Sequence, residues 1–141
     1  MNTEENTLSI HFEQDDFDLT TEHIQSLFDI IAEGEKISPT QLVDVIFCSE
    51  ETIQRLNKDY REKDSITDVL SFPFNEDDYL GEIYICVPRA LEQAREYNLT
   101  IEEESARLFT HGLFHLLGFD HIEDEQRLLM EAKEKTYFTV E

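Results

Sequence analysis

Three of the chain's five histidines fall in one run, His111-Gly-Leu-Phe-His115-Leu-Leu-Gly118-Phe-Asp120-His121. Imidazole can ligate a metal, move a proton or sense pH, and spacing selects among these. His111 and His115 are four residues apart, so on a helix they share a face, one turn from each other. Gly118 suits the position after a helix end, where the backbone passes through the left-handed region. Such a turn swings His121 back toward the other two. Three imidazoles with an open fourth position form a catalytic zinc arrangement, whereas structural sites are closed, commonly by cysteines. Taken singly, each histidine is better read as a satisfied core or surface residue. Three of them on an apolar stretch ended by glycine need partners for their nitrogens, because burying imidazoles unsatisfied costs free energy. A divalent metal supplies those partners. Zinc, one ion per chain, suits imidazole ahead of nickel, manganese or copper. Asp120 is the natural group to orient a ligand or a bound water.

The spacing His-x-x-x-His-x-x-Gly-x-x-His is also that of the metzincin proteases, which place a glutamate general base directly after the first histidine. Here that position is Gly112. Glycine cannot take a proton, so peptide hydrolysis loses its base while the metal remains. A Lewis acid for an ester or phosphoryl oxygen is still available.

The flanking sequence predicts the elements that hold this run. Leu8-Ser-Ile-His-Phe12 alternates as a half-buried strand with His11 facing solvent. Thr20 or Thr21 caps a helix with Ile24, Leu27, Phe28, Ile31 and Ala32 on one face, ended by Gly34. His23 falls in its first turn, as a surface residue. Leu42 to Cys48 is a buried strand. Ser49 caps the next helix, with Ile53, Leu56 and Tyr60 inward and Arg55, Lys58 and Arg61 toward solvent. Asp68 to Pro73 forms a third strand, with Pro73 at an end or an edge. An acidic loop, Asn75 to Asp78, leads to a fourth strand from Gly81 to Val87, and Pro88 opens a helix running to about Asn98. Thr100-Ile-Glu-Glu103 is a capping box for the histidine-bearing helix, which is apolar over most of its circumference and therefore central. A last helix, from about Glu123 to Lys135, packs Leu128, Leu129 and Ala132. The order β-α-β-α-β-β-α-α-α predicts a single α+β (mixed α/β) domain over residues 1–141. Its four-stranded mixed sheet packs with about five helices, zincin-like around a central metal-bearing helix.

Composition narrows the setting. At 141 residues with 40% hydrophobic residues the chain is globular, and no apolar run approaches a membrane span. The acidic start, Met1-Asn-Thr-Glu-Glu, is unlike a signal peptide, so a cytoplasmic location is expected. Cys48 and Cys86 are distant in sequence and read as reduced core residues. A net charge of −22 opposes nonspecific nucleic-acid binding, and no DNA partner is expected. One basic stretch stands against it: Arg55, Lys58, Arg61 and Lys63, interrupted only by Asp59 and Glu62 as acids. Without further context it is the solvated face of a helix.

The histidine run closely resembles the His-Gly-x-Leu-His-Leu-x-Gly-Tyr-Asp-His segment of the YbeY proteins, bacterial metal-dependent endoribonucleases that mature ribosomal RNA. Leu56-Asn-Lys-Asp-Tyr-Arg61, Thr67-Asp-Val-Leu-Ser-Phe-Pro73 and Leu80-Gly-Glu-Ile83 resemble segments of the same family in the same order. The likeness runs from Val43 to the C-terminus, with the preceding stretch fitting only in pattern. It implies that His111, His115 and His121 ligate zinc and that Arg61 sits beside the metal to hold a phosphate, with His115 and Arg61 as the catalytic pair. Arg55, Lys58 and Lys63 would then join Arg61 in contacting RNA, and Thr67, Asp68 and Ser71 would line the cleft. The implied function is a single-strand-acting zinc-dependent endoribonuclease of rRNA maturation, with a ribosomal RNA precursor and the ribosome or its proteins as partners. Phe119 for tyrosine, Phe114 for leucine and Glu82 for aspartate depart from the family's pattern without touching a ligand. Two other readings stand beside this one. One is a non-catalytic ribosome-assembly factor with a structural metal; the other is a metal-dependent hydrolase of small phosphates or esters.

Overall fold

Period-two alternation in four short segments builds one sheet. The computed structural model describes residues 7–14, 19–119 and 124–137. In it β1 (Thr7–Phe12), β2 (Leu42–Cys48), β3 (Val69–Glu76) and β4 (Tyr79–Cys86) lie in the order β1-β2-β4-β3. The first three in that order are parallel, and β3 pairs antiparallel with β4 at the sheet's edge. Pro73 therefore sits on an edge strand, where a missing N–H is tolerated. Helices α1 (Glu22–Gly34), α2 (Glu50–Arg61), α3 (Val87–Glu96), α4 (Ile101–Leu116) and α5 (Asp124–Tyr137) complete the α+β order the sequence predicts.

The two faces of the sheet are unequal. Val43, Val45 and Phe47 of β2 and Ile83 and Ile85 of β4 meet Phe28 and Ile31 of α1 and Phe109, Leu113 and Phe114 of α4 in the main core. Each fully buried side chain of this size contributes roughly 1.5–3 kcal/mol. The opposite face carries a small cluster of Cys48, Ile53, Leu70 and Cys86 under α2. Both cysteines are free and buried, as expected, but Cys48 and Cys86 turn out to be register partners on adjacent parallel strands.

Five local expectations are corrected. The acidic loop is shorter than predicted, because β3 continues to Glu76 and the Phe74 ring packs on Tyr79 across the hairpin, 4.8 Å between centroids. Tyr60 is 69% exposed rather than inward. The inward stripe of α2 ends at Asn57, whose Nδ2 donates to the Ser65 carbonyl at 3.0 Å, and Tyr60 rests edge-on against Phe72 beyond that tie. In α5, Leu128 and Leu129 are 61% and 48% exposed and Ala132 is exposed as well, while Met130 enters the core at 1%. The inward face of α5 is thus the Met130, Lys133 and Glu134 stripe, one residue set away from the leucines. Finally, His23 is half-buried and its Nε2 meets the Glu102 carbonyl at 2.7 Å, tying α1 to α4. Thr21 marks the start of α1, but its hydroxyl makes no cap bond. Among the described residues no helix is long and apolar enough to cross a membrane.

Candidate metal centre and cleft

The helix that carries the histidines is fixed at both ends. At its start Thr100 Oγ1 accepts from the Glu103 N–H at 3.0 Å and the Glu103 carboxylate accepts from the Thr100 N–H at 2.9 Å, which completes the capping box. At its end Gly118 adopts φ +99°, its N–H donates to the His115 carbonyl at 3.0 Å, and the Phe119 N–H donates to the Phe114 carbonyl at 3.0 Å. These two bonds define a Schellman motif, and the hydrophobic contact that accompanies it is the Phe114–Phe119 ring pair at 5.6 Å. The Phe119 ring is therefore held by packing. A hydroxyl on it is not part of the turn.

Between those ends α4 presses against the sheet. A Cβ on Gly112 would come within 2.7 Å of Ile83 Cγ2 and 3.0 Å of Ser71 Oγ, so only glycine lets the helix approach this closely. The position that holds a base in metzincins faces the sheet here, not the cleft. Ser71 Oγ donates to the Gly112 carbonyl at 3.0 Å and latches α4 to β3.

On the cleft side of α4, His115 Nε2 and His111 Nε2 lie 3.2 Å apart, with the rings edge to face at 4.7 Å. Two nitrogens each about 2.0–2.1 Å from a tetrahedral zinc lie roughly 3.4 Å apart, so this pair fits one edge of such a site. His111 Nδ1, on the ring's other side, contacts Glu134 Oε1 of α5 at 3.4 Å. Among the described residues no third ligand completes a metal cluster. His121, the third histidine of the expected set, and Asp120 lie outside the described residues.

His111 and His115 open into a cleft of about 550 Å³, whose other walls include Arg61, Thr67, Asp68, Ser71 and Phe119. All three cleft residues expected on β3 and its approach are thus present, but each has structural work. The Asp68 carboxylate accepts from the Val69 N–H at 2.8 Å through Oδ1 and from Gln93 Nε2 at 3.2 Å through Oδ2. Thr67 Oγ1 donates to the same Asp68 Oδ1 at 3.4 Å. Arg61 ends α2, and Glu62 caps it in the left-handed region at φ +59°. Asn57, buried beneath, ties the loop that follows α2 through the Ser65 carbonyl and hydroxyl, between Arg61 and Thr67 in the chain. Arg55, Lys58 and Lys63 are exposed, and of the four basic residues only Arg61 lines the cleft. Arg55 instead faces Glu13, where hydrogen bonds from Thr52 and Ser49 and the Arg55 charge outweigh burial and hold the Glu13 carboxyl below its usual range.

Two features escaped the sequence. Glu104 is fully buried and takes a two-pronged contact from Arg107 at 2.8 and 2.6 Å, and Arg107 in turn lies 5.8 Å over the Tyr97 ring. An acidic residue in an N-terminal helical turn reads as solvated, and only the arginine three residues on hints otherwise. Glu134 is the other, because nothing in the spacing of α5 links it to His111.

Known proteins supply an independent comparison. The family model for "Endoribonuclease YbeY" matches residues 8–140. The endoribonuclease YbeY of Finegoldia magna is 43% identical over 137 residues, covering 92% of this chain and 90% of the relative. That of Macrococcus caseolyticus is 41% identical over 140 residues, covering 90% and 91%. The solution structure of TM1509 from Thermotoga maritima superposes with a TM-score of 0.63 at 36% identity, over 93% of this chain and 86% of that one.

Proposed function

The chain belongs to the endoribonuclease YbeY family, and from that premise we propose that it is a single-strand-acting, zinc-dependent endoribonuclease of ribosomal RNA maturation. The observation that carries the proposal is the facing pair of Nε2 atoms, 3.2 Å apart in the cleft that Arg61 also lines. His111, His115 and His121 would hold the ion. When bound, zinc supplies a Lewis acid that polarises a phosphodiester oxygen.

The protein's own groups supply the rest. Arg61 presents a planar guanidinium that binds two phosphate oxygens at once and neutralises charge gathering on them during cleavage. A phosphodiester suits that group better than a peptide does, and Gly112 leaves no carboxylate where a protease keeps its base. Asp68 and Ser71, being hydrogen-bonded into the scaffold, keep the cleft wall rigid and α4 in place. Arg55, Lys58 and Lys63 extend the positive charge beyond the cleft, along the path of a flanking strand. On a chain of net charge −22 such binding is local and falls steeply with salt.

Arg61→Ala tests the assignment. Cleavage of structured ribosomal RNA by zinc-loaded protein should fall about 100-fold or more, with zinc content and melting temperature unchanged. If the wild-type protein leaves that RNA intact and the variant behaves identically, the proposal fails. The product end separates two routes. Attack by the ribose 2′-hydroxyl leaves a 2′,3′-cyclic phosphate, and attack by water leaves a phosphomonoester.

A further inference from the structure

We propose that Glu134 is a positioning residue for the metal centre, its carboxylate holding His111 in the tautomer that turns Nε2 toward the ion. The inference rests on the zinc reading above and deepens it. An ionised carboxylate only accepts hydrogen bonds, so the His111 Nδ1 that meets Glu134 Oε1 at 3.4 Å carries the proton. Nε2 is then a bare lone pair, and it is this atom that faces His115 Nε2 at 3.2 Å. Without the carboxylate nothing on α5 favours a proton on Nδ1, and the tautomer that puts the proton where the ion belongs gains population.

The placement of Glu134 is built into the fold. Met130 buries itself in the main core and Lys133 Nζ reaches Oε2 of Glu35, the residue that caps α1, at 3.1 Å, so two neighbouring positions of α5 are anchored on the same inward stripe. Glu134 and His111 both have partly covered side chains, 22% and 30% exposed, which limits competition from water. Glu131, one turn earlier, is exposed. Ligating histidines are commonly oriented in this way by a carboxylate, and losing it lowers metal affinity about 10- to 100-fold. The sequence points to Asp120 for such a role; the structure adds a carboxylate 23 residues from its histidine, on a different helix.

The test has two arms. In metal-free protein at pH 8, long-range proton–nitrogen NMR of the His111 ring reads the tautomer directly. The wild type should show the Nδ1–H form, and Glu134→Ala a larger share of the Nε2–H form. In the second arm, zinc competition against a chromophoric chelator should show affinity lower by about 10- to 100-fold in Glu134→Ala and unchanged in Glu131→Ala. Should Glu134→Ala fail to fold, Glu134→Gln carries the test, with zinc affinity expected to fall about tenfold while the fold persists. Unchanged tautomer and affinity in the variant, or an equal loss in Glu131→Ala, overturns the role of Glu134. A wild-type protein that takes up no zinc, yet shows the Glu134-dependent tautomer, instead overturns the zinc reading itself.

Discussion

On one face of the sheet His11 of β1 meets Asp44 of β2 through Nε2 at 2.9 Å; beyond the other face His111 of α4 meets Glu134 of α5 through Nδ1 at 3.4 Å. The first pair is the tighter and the less useful. The second oxygen of Asp44 accepts from the Tyr79 hydroxyl at 2.7 Å, and His11 is exposed, so the group closes on itself. Glu82, the register partner of Asp44, adds only repulsion: burial, and then the Asp44 charge, push its carboxyl above the usual range. The second pair leaves something over, a ring nitrogen aimed at another ring nitrogen inside a cleft. A short histidine–carboxylate contact therefore says little about function. What the other nitrogen faces says more.

The sharpest way to break this contrast is to delete one histidine from each face. His115→Ala should abolish zinc uptake, from about one ion per chain to none by elemental analysis, whereas His11→Ala should retain the metal in full. Zinc that survives His115→Ala would dissolve the distinction. The next effect is on stability and concerns how closely α4 lies on the sheet. Gly112→Ala drives a methyl group to 2.7 Å from Ile83 Cγ2, and denaturant melts should show a loss of about 1–3 kcal/mol. An unchanged midpoint would mean that the close approach is not needed.

The smallest effect belongs to the acidic face. A carboxyl whose folded pKa is raised takes up more protons folded than unfolded, so its ionisation destabilises the fold as pH rises. Glu82→Gln should therefore raise the melting temperature slightly at pH 7, and the gain should vanish as pH falls below the ordinary value of 4.5. A loss of stability at pH 7 would show that the Glu82 charge is stabilised by a partner on this face.

How much of this was legible beforehand depended on whether the signal was local. The capping box at Thr100, the Gly118 turn and the i, i+4 histidines are written within one or two helical turns, and the structure shows all three as read. Pro73 announced a strand end or an edge for the same reason, since a missing N–H acts where it stands, and the edge is what the sheet order gives it. Tertiary choices were not legible. Leu128 and Leu129 outrank Met130 in hydrophobicity, yet the phase of α5 is chosen by what its neighbours offer it: the main core for Met130, Glu35 for Lys133 and His111 for Glu134. Gly112 illustrates a partial reading. Its inability to act as a base is plain from its type, but that its absent side chain admits Ile83 needed the sheet beneath it.

The register of two parallel strands has one more consequence. Cys48 and Cys86 lie side by side beneath α2, both fully covered. Burial pushes the Cys86 thiol up to about 11 and Cys48 higher still, so neither is ionised or reachable while α2 is seated. Alkylating reagents attack the thiolate. Modification of this pair thus counts the moments when the helix lifts away, and the chain carries its own stopwatch for opening on the sheet face opposite α4.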